Sequence, residues 1–293
     1  MSEVAALPVL ARRHALARAM RRNPLLLTGV AIAALLLLVA LLAPWIAPHP
    51  ADAGTATNPV ESLLPPSWHH LFGTDAVGRD LLSRVIFGAR ISLRIAAIVL
   101  ASSVLVGVPL GLVAGYFGGW VDAVIMRIVD VFLAFPALLL SLALAAVLTP
   151  SVGNATLAIA ITWWPWYARL ARGQAASVVG RPFIEGSRAL GVPPVRTLIR
   201  HVLPNSITPV IVQASLDVGG IILTAAALSF LGLGAQDPTP EWGLMVSQGQ
   251  SYFTTQWWLV TFPGAAILLA ALAFNLLGDG LRDMLDPRRV ERR

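Results

Sequence analysis

Residues 185–204 read EGSRALGVPPVRTLIRHVLP, a polar, arginine-bearing island in a chain otherwise dominated by long apolar runs. Pro182 stands three residues before Glu185, where a first helical turn loses nothing by lacking an N–H. Gly191 suits a left-handed C-terminal cap. Pro193-Pro194 then forbids simple continuation but allows a second helix to start. The grammar predicts two short helices meeting at an angle on a shaped loop outside the bilayer.

Composition fixes what surrounds that loop. Of 293 residues, 57% are hydrophobic and only 12% charged, and mean hydropathy is +0.75. A soluble domain is about a quarter charged, so this is an integral membrane protein. With no cysteine, disulfides and thiolate metal sites are excluded. The five histidines are scattered without ligand spacing, which argues against a zinc site.

The formal charge of +6 rests on arginine alone, because the chain has no lysine. A Walker A phosphate loop needs its lysine on the phosphates, so ATP cannot be bound here in that way, and lysine Schiff-base chemistry is excluded too. The arginines fall between apolar runs and at the ends. That pattern fits positive-inside topology rather than nucleic-acid binding.

Taken in order, residues 1–24 form a basic cytoplasmic segment, readable as an interfacial helix or as a tail that fixes topology. The first span is 25–46, whose twenty-two uncharged residues reach roughly 33 Å across a ~30 Å core. Residues 47–90 make an extracytoplasmic loop that ends in an expected interfacial helix. Thr74 or Asp75 would cap it, Gly78, Arg79 and Asp80 belong to it, and its alternative is a mere spacer. The core, 91–281, holds spans two to six, with the coupling loop at 173–206. The basic tail is 282–293.

Within the core, the second span runs about 95–113. Asp122, Arg127 and Asp130 open the third, where Arg127 and Asp130 could pair on one face or serve transport. Thr149-Pro150-Ser151-Val152-Gly153-Asn154 ends it and starts a fourth at about 155–172, whose tryptophans read as an aromatic belt. The fifth span, about 207–231, is rich in small residues suited to central packing. Its Asp217 could line a path or hydrogen-bond a neighbouring helix. The sixth runs about 257–281. With six spans and both termini on one side, that side collects seventeen arginines against four, which puts both termini and the 185–204 loop in the cytoplasm.

The loop resembles a specific motif. Glu185-Gly186-Ser187, then Gly191, then Leu203-Pro204 is similar to the EAA loop of bacterial ABC importer permeases, E-A-A-x3-G-x9-I-x-L-P. Gly186 and Ser187 replace the alanine pair while keeping it small, and His201 stands at the isoleucine. LFGTDAVGRDLLSRVIFGARISL (71–93), WVDAVIMRIVDVFLAFPALLL (120–140), ALSFLGLG (227–234) and PTPEWG (238–243) resemble the dipeptide/oligopeptide (and nickel) permease family, C-type inner-membrane subunit.

The resemblance implies an all-α protein of six transmembrane helices with a cytoplasmic two-helix coupling loop between the fourth and fifth. It implies a transport subunit, not an enzyme, of the bacterial inner membrane. Partners would be a B-type permease in a heterodimer, two ATP-binding-cassette ATPases and an extracytoplasmic substrate-binding protein, with lipid around the spans. ATP and Mg would sit on the ATPase chains and no cofactor on this one. In the loop, Glu185 would fix the first helix and Gly191 make the bend. Leu190, Val192, Val195 and Leu198 would seat in the ATPase, and Arg188, Arg196 and Arg200 would meet its acids. Ala189, His201, Leu203 and Pro204 complete the motif. Substrates would be di- or oligopeptides; nickel, glutathione and opines pass through relatives. The rival classes are an ion-driven secondary transporter, against which no internal repeat appears, and a membrane enzyme, for which no catalytic constellation appears.

Overall fold

The computed structural model of the chain describes residues 24–285; the basic N-terminal segment and most of the arginine-rich tail lie outside the described residues. Nine α-helical elements follow in order among the described residues, with Pro194–Phe230 taken as one, besides three short 3-10 helices. They are α1 (Pro24–Ile46), α2 (Leu81–Phe117), α3 (Gly119–Leu133), α4 (Ala137–Val147) and α5 (Val152–Val179). Then come α6 (Pro182–Ala189), α7 (Pro194–Phe230), α8 (Trp242–Gly249) and α9 (Trp258–Leu285). The only bridge-type pairing among the described residues links Thr74 to Asp80.

Four helices, α1, α2, α7 and α9, are long and apolar enough to cross a membrane. The third expected span is not one rod. Its halves α3 and α4 meet at 81° and count as a fifth crossing only if taken together. The break falls at Pro136, which caps α4 and has no N–H to continue the α3 hydrogen-bond ladder. The expected fourth span corresponds to α5, whose 28 residues reach about 42 Å. It is less apolar, with one face packed into the bundle, where Ala158, Ile159, Tyr167, Ala168 and Ala171 are wholly buried, and another exposed at Leu157 and Trp166.

The bundle is built on α2 and α5, which run side by side in the same direction. Gly107, Gly111 and Gly115 of α2 recur every four residues, so they share one face. A Cβ at Gly107 would lie 2.4 Å from the Trp164 carbonyl, at Gly111 2.2 Å from that of Ala168, and at Gly115 2.6 Å from that of Arg172. The backbones touch, and only glycine permits it. α7 packs antiparallel to α5, with Gly220 against the Trp163 ring at 3.6 Å. α9 packs antiparallel to α7, Gly219 meeting Ala271 and Gly278 meeting Leu216. α1 lies outermost on α9, with Gly29 against Leu276 and Leu277. Small residues thus set the spacing on α2, α7 and α9 alike, not only in the fifth span.

Two apolar cores result. One, at the α8 end, includes Val99, Ile159, Ile221, Leu228 and Trp242. The other, at the α6 end, gathers Tyr116, Tyr167, Ala171, Val178, Ile184 and Val202.

The connection before α2 departs from expectation. Asp80, not Thr74 or Asp75, caps the helix, its Oδ2 accepting the Ser83 N–H at 2.8 Å. Thr74 and Asp75 lie in the preceding turn, where the Asp75 carboxylate accepts the N–H groups of Val77 and Arg79. Those bonds close a turn instead of starting a helix. Gly78, at φ +82°, completes it, and a Cβ there would fall 1.8 Å from the Asn58 carbonyl. No separate interfacial helix forms at 71–90; α2 runs unbroken for 37 residues from Leu81.

The return loop also folds inward. Glu241 caps α8 through the Leu244 N–H at 2.9 Å, Trp242 is buried against Gly88, and Gly243 presses on Ala226. The Trp242 indole N–H donates to the Val85 carbonyl at 2.9 Å, which joins α8 to α2. Burial pushes the Glu241 carboxyl up, against hydrogen bonds from the Gly243 and Leu244 N–H groups.

Candidate functional site

The joint between α6 and α7 follows from Gly191. Its φ of +71° is left-handed, a conformation that costs an ordinary L-residue ~1–2 kcal/mol. Around it the Val192 N–H donates to the Ser187 carbonyl at 3.1 Å and the Gly191 N–H to the Arg188 carbonyl at 2.9 Å. This 6→1 and 5→2 pair is a Schellman termination. Pro193 caps the next helix and Pro194 opens it.

The second loop helix is not short. It is the first turns of α7, continuous over Pro194–Phe230, with a π-helical stretch at Leu198–Val202. Pro204 supplies the reason. It has no N–H for the Arg200 carbonyl and its ring crowds the preceding turn, so the helix widens there instead of breaking. Leu203 begins the regular α-helical stretch that follows. The loop therefore runs into α7 with no break in the helix.

The loop is pinned to the bundle at three places. Ile184 is wholly buried in the core that contains Tyr167 and Val202. The Ser187 and Thr197 hydroxyls, both buried, face each other across the two helices at 3.3 Å. Arg188 reaches back to the end of α2, with its guanidinium carbon 4.6 Å from the Tyr116 ring centroid. Its Nη2 donates to the Tyr116 carbonyl at 3.3 Å. Phe183 and His201 meet edge to face at 6.5 Å. Beside the joint lies an open cleft of about 450 Å³, lined by Tyr116, Phe117, Arg188, Val192 and Pro194.

These contacts redistribute the expected roles. Glu185 is exposed and does not fix α6 to its surroundings; Ile184 and Arg188 do. Leu198 is half-buried against the inner core and is not available as a docking residue. Gly186 has open space where a Cβ would be, so close packing within this chain does not require its small size. Ser187 is the small residue that packing uses. The outward apolar face consists of Leu190, Val195 and Ile199, 84%, 65% and 59% exposed, flanked by exposed Arg196 and Arg200. Ala189 ends α6 on the exposed side.

Asp217 and Asp130 find partners on another helix, whereas the expected pairing of Arg127 with Asp130 does not form. Asp217 accepts the Tyr167 hydroxyl at 2.7 Å and the Gln213 amide at 2.8 Å, so it ties α7 to α5. Asp130 pairs with Arg169 rather than with Arg127, which is exposed on α3. Arg172 grips Asp122 through two nitrogens at 3.0 and 2.5 Å. The interhelical partners lie about 40–50 residues away in sequence, beyond the reach of an i,i+3 argument.

At the opposite end, Arg79 is buried and donates to Asp75 at 2.6 Å and to Asp237 at 2.9 Å. Burial works against its charge, but these two carboxylates hold its pKa above the ordinary value. Burial likewise opposes the Asp237 carboxylate, yet hydrogen bonds from Arg79 and Gln248 hold it below its usual range. Arg84 is 1% exposed, with its Nε 3.6 Å from Asp75. The two arginines border a cleft of about 410 Å³ between the 75–84 turn and α8.

Comparison with known proteins agrees with this architecture. The family described as "binding-protein-dependent transport system inner membrane component" matches residues 107–291. The "N-terminal TM domain of oligopeptide transport permease C" matches 14–66. A probable D,D-dipeptide transport system permease protein of Escherichia coli is 49% identical over 269 residues, covering 92% of this chain and 89% of the relative. A dipeptide transport system permease protein of Alkalihalophilus pseudofirmus is 45% identical over 92% of this chain and 88% of its own length. A glutathione transport system permease protein of Escherichia coli is 43% identical over 94% and 90%. Among solved structures, an inward-facing methionine ABC transporter chain aligns with a TM-score of 0.56 at 16% identity, over 70% of this chain and 98% of that one. It shares the fold.

Proposed function

From the premise that this chain belongs to the binding-protein-dependent transport system inner membrane component family, we propose that it is the C-type permease of an importer for di- or oligopeptides. The chain is a multi-pass permease of the bacterial inner membrane. On our reading it crosses six times, α3 and α4 making one bent crossing and α5 another, with both termini and α6 in the cytoplasm. A B-type permease completes the translocation path. Two ATPase subunits carry ATP with Mg, and this chain binds neither. An extracytoplasmic binding protein delivers the peptide. Membrane lipid covers α1 and the outer faces, and nucleic acid plays no part.

The observation that carries the reading is the outward face of Leu190, Val195 and Ile199 on a joint that is otherwise pinned inward. Apolar side chains held out in water by a rigid turn suit a partner groove. When ATP closes the ATPase pair, a subunit seated on that face would drag α6, and α7 would follow because it is one helix with the joint. Thr74, Asp75, Gly78, Arg79 and Asp80 would shape the extracytoplasmic mouth. Asp217, Asp130 and Arg127 would pack or face solvent rather than bind substrate.

The test is uptake by vesicles containing this chain with its B-type permease and ATPases. Labelled dipeptide should enter only with ATP inside and binding protein outside, and unlabelled dipeptide should compete. Transport driven by an ion gradient without ATP would contradict the proposal. Resemblance to a glutathione permease supports one further substrate class. Competition by glutathione at equal concentration would favour it over dipeptides.

A further inference from the structure

The sequence spacing of the histidines argued against a metal site, yet the fold gathers two of them around Asp80. His70 Nδ1 lies 3.0 Å from Asp80 Oδ1 and His49 Nδ1 lies 3.8 Å from the same oxygen. The three ligand atoms all fall within 4.8 Å of one another. In tetrahedral coordination with Zn–N and Zn–O bonds of ~2.0–2.2 Å, neighbouring ligand atoms stand roughly 3.3–3.6 Å apart. The observed distances to Asp80 bracket that value. The histidine that must turn inward, His49, is the one with room to do so, 44% exposed beside partners at 7% and 1%.

The surroundings are those of a built site. Asp80 is held on both sides: its Oδ2 caps α2 through Ser83, and its own N–H donates to the Asp52 carboxylate at 2.8 Å. That leaves Oδ1 for the cluster. On the far side of the His70 ring, Nε2 stands 3.6 Å from Glu61 Oε2. The Asn58 amide donates to that same carboxylate oxygen at 2.7 Å. A carboxylate behind the non-ligating nitrogen fixes the tautomer and orientation of a metal-bound histidine. Glu61 stands behind His70 at 3.6 Å and would close to hydrogen-bond distance to complete such a line with the Asp80 oxygen. A hydrogen bond between His70 and Asp80 alone would need neither the second histidine nor Glu61.

We propose that His49, His70 and Asp80 form a three-ligand site for a first-row divalent transition ion of the Zn2+ class, with Glu61 orienting His70. Two imidazoles and one carboxylate suit such an ion better than Mg2+ or Ca2+, which prefer all-oxygen shells. Solvent at the His49 side supplies a fourth ligand. The ion clasps the segment that follows α1 to the first turn of α2, a staple and not a catalytic centre. The site does not depend on which substrate is transported.

The test uses the full chain with its partner permease in detergent, purified on a histidine-free tag, stripped with EDTA and titrated calorimetrically with Zn2+. About one Zn2+ per chain should bind, with Mg2+ and Ca2+ giving no heat. His70→Gln should abolish that binding. His49→Gln, at an exposed position that leaves the fold intact, should weaken it by ~10-fold or more, and Glu61→Gln by about 10-fold. Co2+ should give visible d–d bands in the wild type that vanish in His49→Gln. Zn2+ affinity unchanged in His49→Gln, or absent from the wild type, would overturn the proposal. Loss of binding in His69→Gln instead would also overturn it, by moving the site to a neighbouring exposed histidine.

Discussion

Gly191→Val should leave the permease inserted and assembled while cutting ATP-coupled uptake by about tenfold or more. The reason is local. Gly191 sits at φ +71° with nothing within 4 Å of a would-be Cβ. A clash is therefore absent, and the cost is purely the backbone conformation. For a β-branched residue in that region the strain is ~1–3 kcal/mol. Relief requires leaving the left-handed well, which breaks the Val192-to-Ser187 and Gly191-to-Arg188 bonds that end α6. The joint then loses its fixed angle, and ATPase closure is no longer passed to α7. Gly191→Asn is the control, because asparagine tolerates this conformation. It should retain most of the uptake. Measured in reconstituted vesicles, normal uptake with Val, or equal loss with Asn, would refute the role given to this angle.

Gly111→Leu should act differently, by preventing assembly. Its Cβ would fall 2.2 Å from the Ala168 carbonyl and 2.8 Å from the Ala171 Cβ. Neither atom can move without separating α2 from α5. Overpacking a tight core costs typically ~1–3 kcal/mol. Here the clash begins at backbone and grows with each further carbon, so the effect lies at or beyond the upper end. Gly173→Ala on α5 is the matched control, since nothing lies within 4 Å of its Cβ. Size-exclusion chromatography of the detergent-solubilised complex should show the Gly111 variant aggregated or missing and the Gly173 variant unchanged. A folded, assembled Gly111→Leu permease would mean that α2 and α5 are not packed this closely.

The features legible in the sequence were those written in short-range grammar. Gly191 followed by two prolines announced the turn, and its Schellman bonds are the physical expression of that reading. Apolar length announced α1, α2, α7 and α9. What remained hidden depends on residues far apart. The sequence places Arg79 on an interfacial helix, but Asp75 and Asp237 pair with it and allow its burial. Glu185 stood out as the motif's acid, yet the inward anchor is Arg188, whose partner Tyr116 lies 72 residues earlier. The Asp130 partner was sought on its own helix and sits on α5.

Two further local features of the sequence bear on the packing. Pro136 sits at the bend between α3 and α4, but Pro109, Pro165 and Pro209 lie inside continuous helices, so a single proline does not by itself mark a break. Glycines at 107, 111 and 115 share one helix face, the small-xxx-small pattern of close membrane-helix contact. The histidine cluster is a case of the opposite kind. Chain separations of 21 and 10 residues carry no ligand signature, and only the folding of 47–80 onto Asp80 brings the three atoms together.

On the proposed function, the exposed face of the α6–α7 joint is cytoplasmic and seats in an ATPase subunit. The absence of cysteine makes it directly testable. Leu190→Cys, 84% exposed at the tip of the joint, and Val60→Cys, 91% exposed at the opposite end, each place a single thiol on the chain. In intact spheroplasts expressing the whole transporter, a membrane-impermeant maleimide should label Val60→Cys and spare Leu190→Cys. A photo-activatable maleimide on Leu190→Cys should then cross-link to the ATPase subunit after the cells are opened. Labelling of Leu190→Cys from outside, with no ATPase adduct, would overturn the cytoplasmic, ATPase-seated assignment of the joint.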